Sequence, residues 1–303
     1  MNKIAIAVHG GASENYPFLQ KYQKEVERGL IDALEKGYSV LDRGGSALDA
    51  VEESITILED NPLFNAGKGS ALNCRGEVEM DASIMNGHNL DAGAVSMVRT
   101  VKNPIHLARL VMEHTNHVFL SGYGALEIAK KYNLELEKES YFITSHQYET
   151  FQKLNKIETL EAIQNKKITG TVGAVALDAH GNLAAGTSTG GTSNCLPGRI
   201  GDSCVIGAGC YANNNTCAVS GTGEGEYLIR NVVGHTISMM VEFNMSLQQA
   251  CDYVIHERNK KINGEMGVIA LNRNADFGSS FNTEIMKRAW KSSLQNTQVK
   301  IFD

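Results

Sequence analysis

Gly170-Thr171-Val172-Gly173-Ala174-Val175-Ala176-Leu177-Asp178 decides what kind of fold this chain builds. It sets a threonine at the head of an apolar, β-rich run, directly after a glycine and a polar tract. A strand of this kind starts on turn chemistry and buries its side chains on one or both faces. In an intact chain Thr171 needs no further explanation than β-branched strand propensity. If the Gly170–Thr171 bond is cut, Thr171 carries a hydroxyl nucleophile and a free α-amine of pKa about 8, close enough to act as its own base. These nine residues alone do not choose between the two readings.

The sequence downstream does. Thr187-Ser188-Thr189-Gly190-Gly191 comes one strand later. Pro197-Gly198-Arg199-Ile200-Gly201-Asp202-Ser203, Gly207-Ala208-Gly209-Cys210-Tyr211-Ala212 and Gly221-Thr222-Gly223-Glu224-Gly225-Glu226 come next, in that order. Upstream stand Ala7-Val8-His9-Gly10-Gly11-Ala12, Asn61-Pro62-Leu63-Phe64-Asn65-Ala66-Gly67 and Met80-Asp81-Ala82-Ser83. Together these blocks resemble the isoaspartyl peptidase/L-asparaginase family, the plant-type asparaginases among the N-terminal nucleophile hydrolases, over essentially the whole chain. The resemblance implies an α+β fold, the four-layer αββα sandwich, in which residues 1–170 and 171–303 become two subunits of one domain after self-cleavage.

Composition bounds the alternatives. The 303 residues are 42% hydrophobic and 20% charged, ordinary for a soluble globular chain, and four prolines argue against long linkers. A net charge of −6 offers no basic field for nucleic acid or an anionic membrane. The apolar start over residues 4–8 runs straight into glycine and reads as a first strand, not a targeting peptide. No uninterrupted apolar stretch approaches the length of a membrane span. The six cysteines, Cys74, Cys195, Cys204, Cys210, Cys217 and Cys251, show no zinc-ligand spacing and read as free thiols in a reducing cytoplasm.

Apolar spacing predicts a helix from about Tyr22 to a stop at Gly37, and a second over residues 48–58 ahead of Pro62. Short strands are expected near residues 83–85, 93–97 and 118–121, with helices over 104–112 and 125–132. Residues 133–169 hold no glycine or proline and are rich in Glu, Lys, Gln and Asn; placed before Gly170-Thr171, they read as a polar tether that becomes a tail once cut. Strand signals resume over 173–177, 182–188, 205–212 and 217–220. Helices over 226–243 and 247–257 then lead to strands at 268–271 and 277–282. Hairpin-like links such as Asp178-Ala179-His180-Gly181 favour antiparallel sheets covered by helices.

The resemblance assigns the chemistry residue by residue. Thr171 is the nucleophile and Gly170-Thr171 the bond it cuts, Gly170 tolerating the strained backbone of that attack. Thr189 hydrogen-bonds the attacking group. Thr222 and the amide of Gly223 hold the oxyanion, and Asn65 orients the new amino terminus. Within the loop Arg199-Ile200-Gly201-Asp202, Arg199 grips a substrate α-carboxylate and Asp202 its α-ammonium. Asparagine and an isoaspartyl residue share those two groups, so one clamp serves both substrates. Thr222-Gly223-Glu224-Gly225 completes the binding set, with Glu224 adding negative charge on the leaving-group side. Gly170, where an acidic residue would mark a glycosylasparaginase, argues for the asparaginase type.

Two further expectations come with the resemblance. A sodium ion is held by main-chain carbonyls of Leu58, Glu59, Asn61, Phe64, Ala66 and Lys68, with no organic cofactor, and two self-cleaved αβ units pair into a heterotetramer. Two rivals stay open: an α/β-hydrolase-type esterase with Ser188 in a Gly-x-Ser-x-Gly pattern, a His9-Gly10-Gly11 oxyanion loop and His235 or His256 downstream, and a non-enzymatic binding protein. The Gly191-Thr192-Ser193-Asn194-Cys195-Leu196-Pro197-Gly198 run after Gly190 is unsuited to start a helix, which weighs against the esterase.

Overall fold

The computed structural model describes residues 3–155 and 170–303. The run after Thr171 becomes β5 (Val172–Leu177), buried at every position. Val172, Ala174 and Ala176 pack into a core with Ile6, Val8, Leu30, Val51 and Ile55. Val175 and Leu177 face a second core with Ala7, Ala185, Ile269, Leu271 and Met286. A strand buried on both faces has no polar side to alternate with, which is why this segment reads as continuous apolar sequence.

Flanking β5 are β1 (Ala5–Ser13) and β6 (Leu183–Thr189). Outward from these lie β2 (Met80–Asn86), β3 (Ala92–Val98) and β4 (Phe119–Ser121) on one side, and β11 (Ile285–Ser292) and β12 (Gln295–Lys300) on the other. The eight strands run in the order β12-β11-β1-β5-β6-β2-β3-β4. A four-stranded sheet, β10-β9-β8-β7, is built from β7 (Cys210–Ala212), β8 (Cys217–Gly223), β9 (Met266–Asn272) and β10 (Phe277–Phe281). Its inner face meets β1, β5 and β6.

Helices cover the outer faces. After a short α1 (Pro17–Lys21), α2 (Gln23–Asp42) and α3 (Ala47–Glu59) lie on the large sheet with α4 (Pro104–His114) and α5 (Gly122–Lys131). Leaving aside two short helices before β5, the second sheet carries α8 (Gly225–Asn231), α9 (Val233–Glu242) and α10 (Leu247–Asp252) over a third core of Val219, Leu228, Ile237, Val254 and Val268. The layers are therefore α, β, β and α.

Several boundaries differ from the sequence expectations. The helix that begins after Tyr22 does not stop at Gly37: α2 continues to Asp42. Gly37 instead lets α2 approach α3, for a Cβ there would clash with Ser54 Oγ and lie 2.7 Å from the Ala50 carbonyl oxygen. The expected helix over 226–243 is broken at Val232, whose φ of +48 is left-handed. Of the expected strand over 205–212 only Cys210–Ala212 forms a strand, because the backbone turns at Val205–Gly209, where Ile206 makes a single bridge to Cys210. The expected tether is ordered in its first half, forming α6 (Glu139–Phe142) and α7 (Ser145–Leu154). Phe142 is buried, Gln147 Nε2 donates to the Gly69 carbonyl at 2.8 Å, and Glu139 accepts from Arg99. Residues 156–169 of that tract lie outside the described residues. All six cysteines are unpaired, four of them buried, and no helix among the described residues is long and apolar enough to cross a membrane.

Candidate active site

The β5–β6 hairpin brings Thr171 to Thr189. Its turn is fixed by Asp178, whose Oδ1 accepts the N–H groups of His180 and Asn182, with Gly181 at φ +79. Turn geometry sets hairpin register, here Leu177 opposite Leu183 and Val172 opposite Ser188. One residue beyond the ladder, buried Thr171 then stands beside Thr189. Thr171 Oγ1 donates to Thr189 Oγ1 at 3.3 Å, and Thr189 Oγ1 donates to the Gly170 carbonyl at 3.0 Å.

A second donor reaches the same carbonyl. Asn65 Nδ2 bonds Gly170 O at 2.9 Å and Gly191 O at 2.7 Å, while its Oδ1 accepts from Ala71 N at 2.7 Å. Asn65 therefore touches the acyl side of the bond before Thr171. A side chain at Gly170 would press on this residue, since a Cβ there would lie 3.2 Å from Asn65 Cβ. Gly11, assigned a role in the sequence only as part of the rival esterase's oxyanion loop, approaches from the other side. At φ +103, in a β1 bulge between His9 and Ala12, a Cβ would sit 3.0 Å from Gly170 Cα and 3.1 Å from Thr171 N.

The proposed oxyanion donors close the site from the second sheet. Thr222 Oγ1 accepts the Ala12 N–H at 3.3 Å, leaving its own hydroxyl proton for another acceptor. Gly223, at φ +128, lines the space around Thr171, where a Cβ would clash with the Glu265 carbonyl oxygen. Gly170, Thr189, Thr192, Arg199, Asp202 and Ser203 also face this space, whose volume is about 10 Å³, room for about one water. The Thr171 and Thr189 hydroxyls and the Gly170 residue thus border one small space.

Arg199 and Asp202 both reach that space, but they are not each other's hydrogen-bond partners. Arg199 is held edge-on by Glu226, with Nε to Oε1 and Nη2 to Oε2 both at 2.9 Å. Such a fork fixes the plane of the guanidinium. Asp202 is buried, its Oδ2 accepts no hydrogen bond among the described residues, and burial pushes its carboxyl up to about 7 against the pull of Arg199. Gly225 admits this approach, since a Cβ would lie 2.9 Å from Asp202 Oδ1 and 3.0 Å from Arg199 Nη2. Ile200 is exposed on the loop. Glu224 turns to the backbone and accepts the Glu265 N–H at 3.1 Å. Glu226 stands in the Gly221–Glu226 block, yet nothing in its spacing announces Arg199 as its partner.

The esterase arrangement is not assembled. Ser188 points to the helix side of the sheet and donates to Glu59 Oε1 at 2.6 Å, a carboxyl that burial raises to about 7. His9 Nε2 meets Ser220 Oγ at 2.9 Å, and burial lowers its pKa to about 3, so it stays neutral. His235 packs edge-on against Tyr211, and His256 is exposed.

The loop after α3 folds back on itself. The carbonyls of Leu58, Glu59 and Asn61 accept from Asn61, Lys68 and Phe64 N–H. Gly67 and Gly69 have positive φ; a Cβ on the first would clash with Glu59 O, and one on the second would lie 2.5 Å from Phe64 O. The Glu59 and Phe64 carbonyl oxygens thus lie close against the loop's glycines, and a carbonyl that accepts one hydrogen bond keeps a second lone pair.

A family profile described as Asparaginase matches residues 2–301. An isoaspartyl peptidase/L-asparaginase of Xenopus laevis is 42% identical over 287 residues, covering 95% of this chain and 92% of the relative. An isoaspartyl peptidase of Escherichia coli K12 is 42% identical, covering 96% and 93%. The human isoaspartyl peptidase/L-asparaginase is 41% identical, covering 94% and 92%.

Proposed function

The chain belongs to the asparaginase family, and from that premise we propose that it hydrolyses the side-chain amide of L-asparagine and the isopeptide bond of β-aspartyl peptides, with Thr171 as nucleophile after self-cleavage. The observation that carries the mechanism is the paired grip of Asn65 Nδ2 and Thr189 Oγ1 on the Gly170 carbonyl, beside the Thr171 hydroxyl.

In maturation, Thr171 Oγ attacks the Gly170 carbonyl carbon and the developing oxyanion is held by Asn65 and Thr189. The C–N bond breaks, the proton passes to the departing Thr171 nitrogen, and an ester joins Gly170 to Thr171 Oγ. Water hydrolyses the ester, leaving a carboxylate on Gly170 and a free amine on Thr171. In turnover that amine takes the hydroxyl proton as Oγ attacks the substrate's side-chain carbonyl. The Thr222 hydroxyl and Gly223 amide stabilise the oxyanion, and the proton leaves with ammonia or with the amine of the second amino acid. Water then releases aspartate. Arg199 and Asp202 bind the α-carboxylate and α-ammonium that both substrates present.

Carbonyl oxygens of the 58–68 loop are the donors for a sodium ion, which would stiffen the loop that carries Asn65; no chemical step runs through it. Pairing of two αβ units and residence in a reducing compartment, favoured by the free thiols, belong to the same proposal. The test is kcat/KM on asparagine and on a β-aspartyl dipeptide with the same purified protein. Turnover of asparagine without isoaspartyl cleavage would overturn the dual activity.

A further inference from the structure

Met80-Asp81-Ala82-Ser83 belongs to the blocks that carry the family resemblance, yet none of its residues touches the scissile bond. We infer that Asp81 is a positioning residue for the substrate clamp, acting through the backbone of the 199–203 loop. The inference rests on Arg199 and Asp202 being that clamp.

Residues two apart on a strand share a face, and Asp81 and Ser83 on β2 both point to where that loop crosses. Asp81 Oδ2 accepts the Gly201 N–H at 3.2 Å. Ser83 Oγ donates to the Ser203 carbonyl at 2.6 Å. The two bonds fall on either side of Asp202 and fasten its backbone from both directions. Asp81 Oδ1 meanwhile accepts the Met97 N–H at 3.2 Å, where Met97 has a left-handed φ of +55 and the β2–β3 ladder shifts register. Across the other edge of β2, Asp81 is the register partner of Thr189. One buried carboxylate therefore ties the strand carrying Thr189 to the loop carrying Arg199 and Asp202.

A carboxylate suits this place because it has acceptors on both oxygens and no donor. Here each oxygen takes one backbone N–H. Asparagine has the same outline but one acceptor, so its amide would face one of those N–H groups donor to donor. The clamp must meet two charged groups of one small substrate at once, and a displaced loop loses both contacts together. Asparagine and β-aspartyl substrates should then suffer equally, while the Gly170 carbonyl keeps Asn65 and Thr189.

The test is steady-state kinetics of self-cleaved Asp81→Asn, Ser83→Ala and Arg199→Ala on both substrates, with the self-cleavage time course measured alongside. For Asp81→Asn we expect KM to rise about tenfold for both substrates, the scale set by one unsatisfied buried N–H. kcat and self-cleavage should stay near wild type, the pattern of lost binding common to ground and transition state. Ser83→Ala should move KM in the same direction by less, and it carries the test if Asp81→Asn does not fold. Unchanged KM in the folded variants, beside a raised KM in Arg199→Ala, would sink the positioning role and leave the clamp standing. Unchanged KM in Arg199→Ala would overturn the clamp and this inference with it.

Discussion

Asn65 Nδ2 lies 2.9 Å from the carbonyl oxygen of Gly170, on the acyl side of the bond that precedes Thr171. The family resemblance assigns Asn65 to the amino terminus that cleavage would create; in the uncut chain its amide donates to the carbonyl that Thr171 attacks in the proposed mechanism. Asn65→Asp separates the two tasks of this side chain. Aspartate can still accept from Ala71 N, which anchors the loop, but when ionised it donates nothing to Gly170 O. Loss of one oxyanion donor should slow self-cleavage by about 10²–10³-fold. A mass-spectrometric time course checks this, and cleavage at the wild-type rate would refute the assignment.

In the proposed mechanism, maturation depends on the Thr171 hydroxyl. Thr171→Ala should remain one folded chain without hydrolase activity. Thr171→Ser and Thr171→Cys retain a nucleophile and should still cut, more slowly, with lower turnover because the attacking atom is differently placed. Fragments ending at Gly170 and beginning at Thr171 are the products to weigh. Full amidase activity in an uncut wild-type chain would exclude the N-terminal mechanism, since the amine would still be locked in a peptide bond.

Glu226 holds two nitrogens of Arg199 and leaves the rest of the guanidinium toward the site. Glu226→Gln keeps one acceptor of the two, so the guanidinium is free to swing. KM for asparagine and for a β-aspartyl dipeptide should rise together by several-fold, about 1 kcal/mol of lost orientation. A rise for only one substrate would mean that Arg199 grips something the two do not share.

Asp202 is held near 7 by burial, and it must be ionised to receive an ammonium group. Its pKa lies above the usual carboxylate range, so the charge is present above about 7 and is lost as pH falls through that value. kcat/KM should therefore carry an acid limb from Asp202, beside that of the Thr171 amine, whose reference pKa is about 8. Asp202→Asn should remove its own limb and leave the amine's. Profiles of the two proteins with parallel acid limbs would show that Asp202 does not titrate in binding.

Much of the fold was legible because burial writes itself along single elements. β5 is apolar on both faces and reads so, and α3 reads from the apolar spacing over residues 48–58 ahead of Pro62. Helix ends were less legible where a close approach, as at Gly37, mimics a stop. The first half of the polar tract before Thr171 looked like a tether because its anchors are few: Phe142, Gln147 and Glu139 secure it among charged neighbours.

The sequence by itself singled out the proposed nucleophile, the bond before it and the residue types of the proposed clamp, since each lies in a compact block whose chemistry is local. Tertiary structure decided the pairings. Asn65 meets Gly170 across 105 positions, Asp81 meets Gly201 across 120, and Arg199 meets Glu226 across 27. Such contacts arise from strand register and from how closely loops pass, as Gly11 passes Thr171. Periodicity along one segment records which face is buried and carries no information about the partner that buries it.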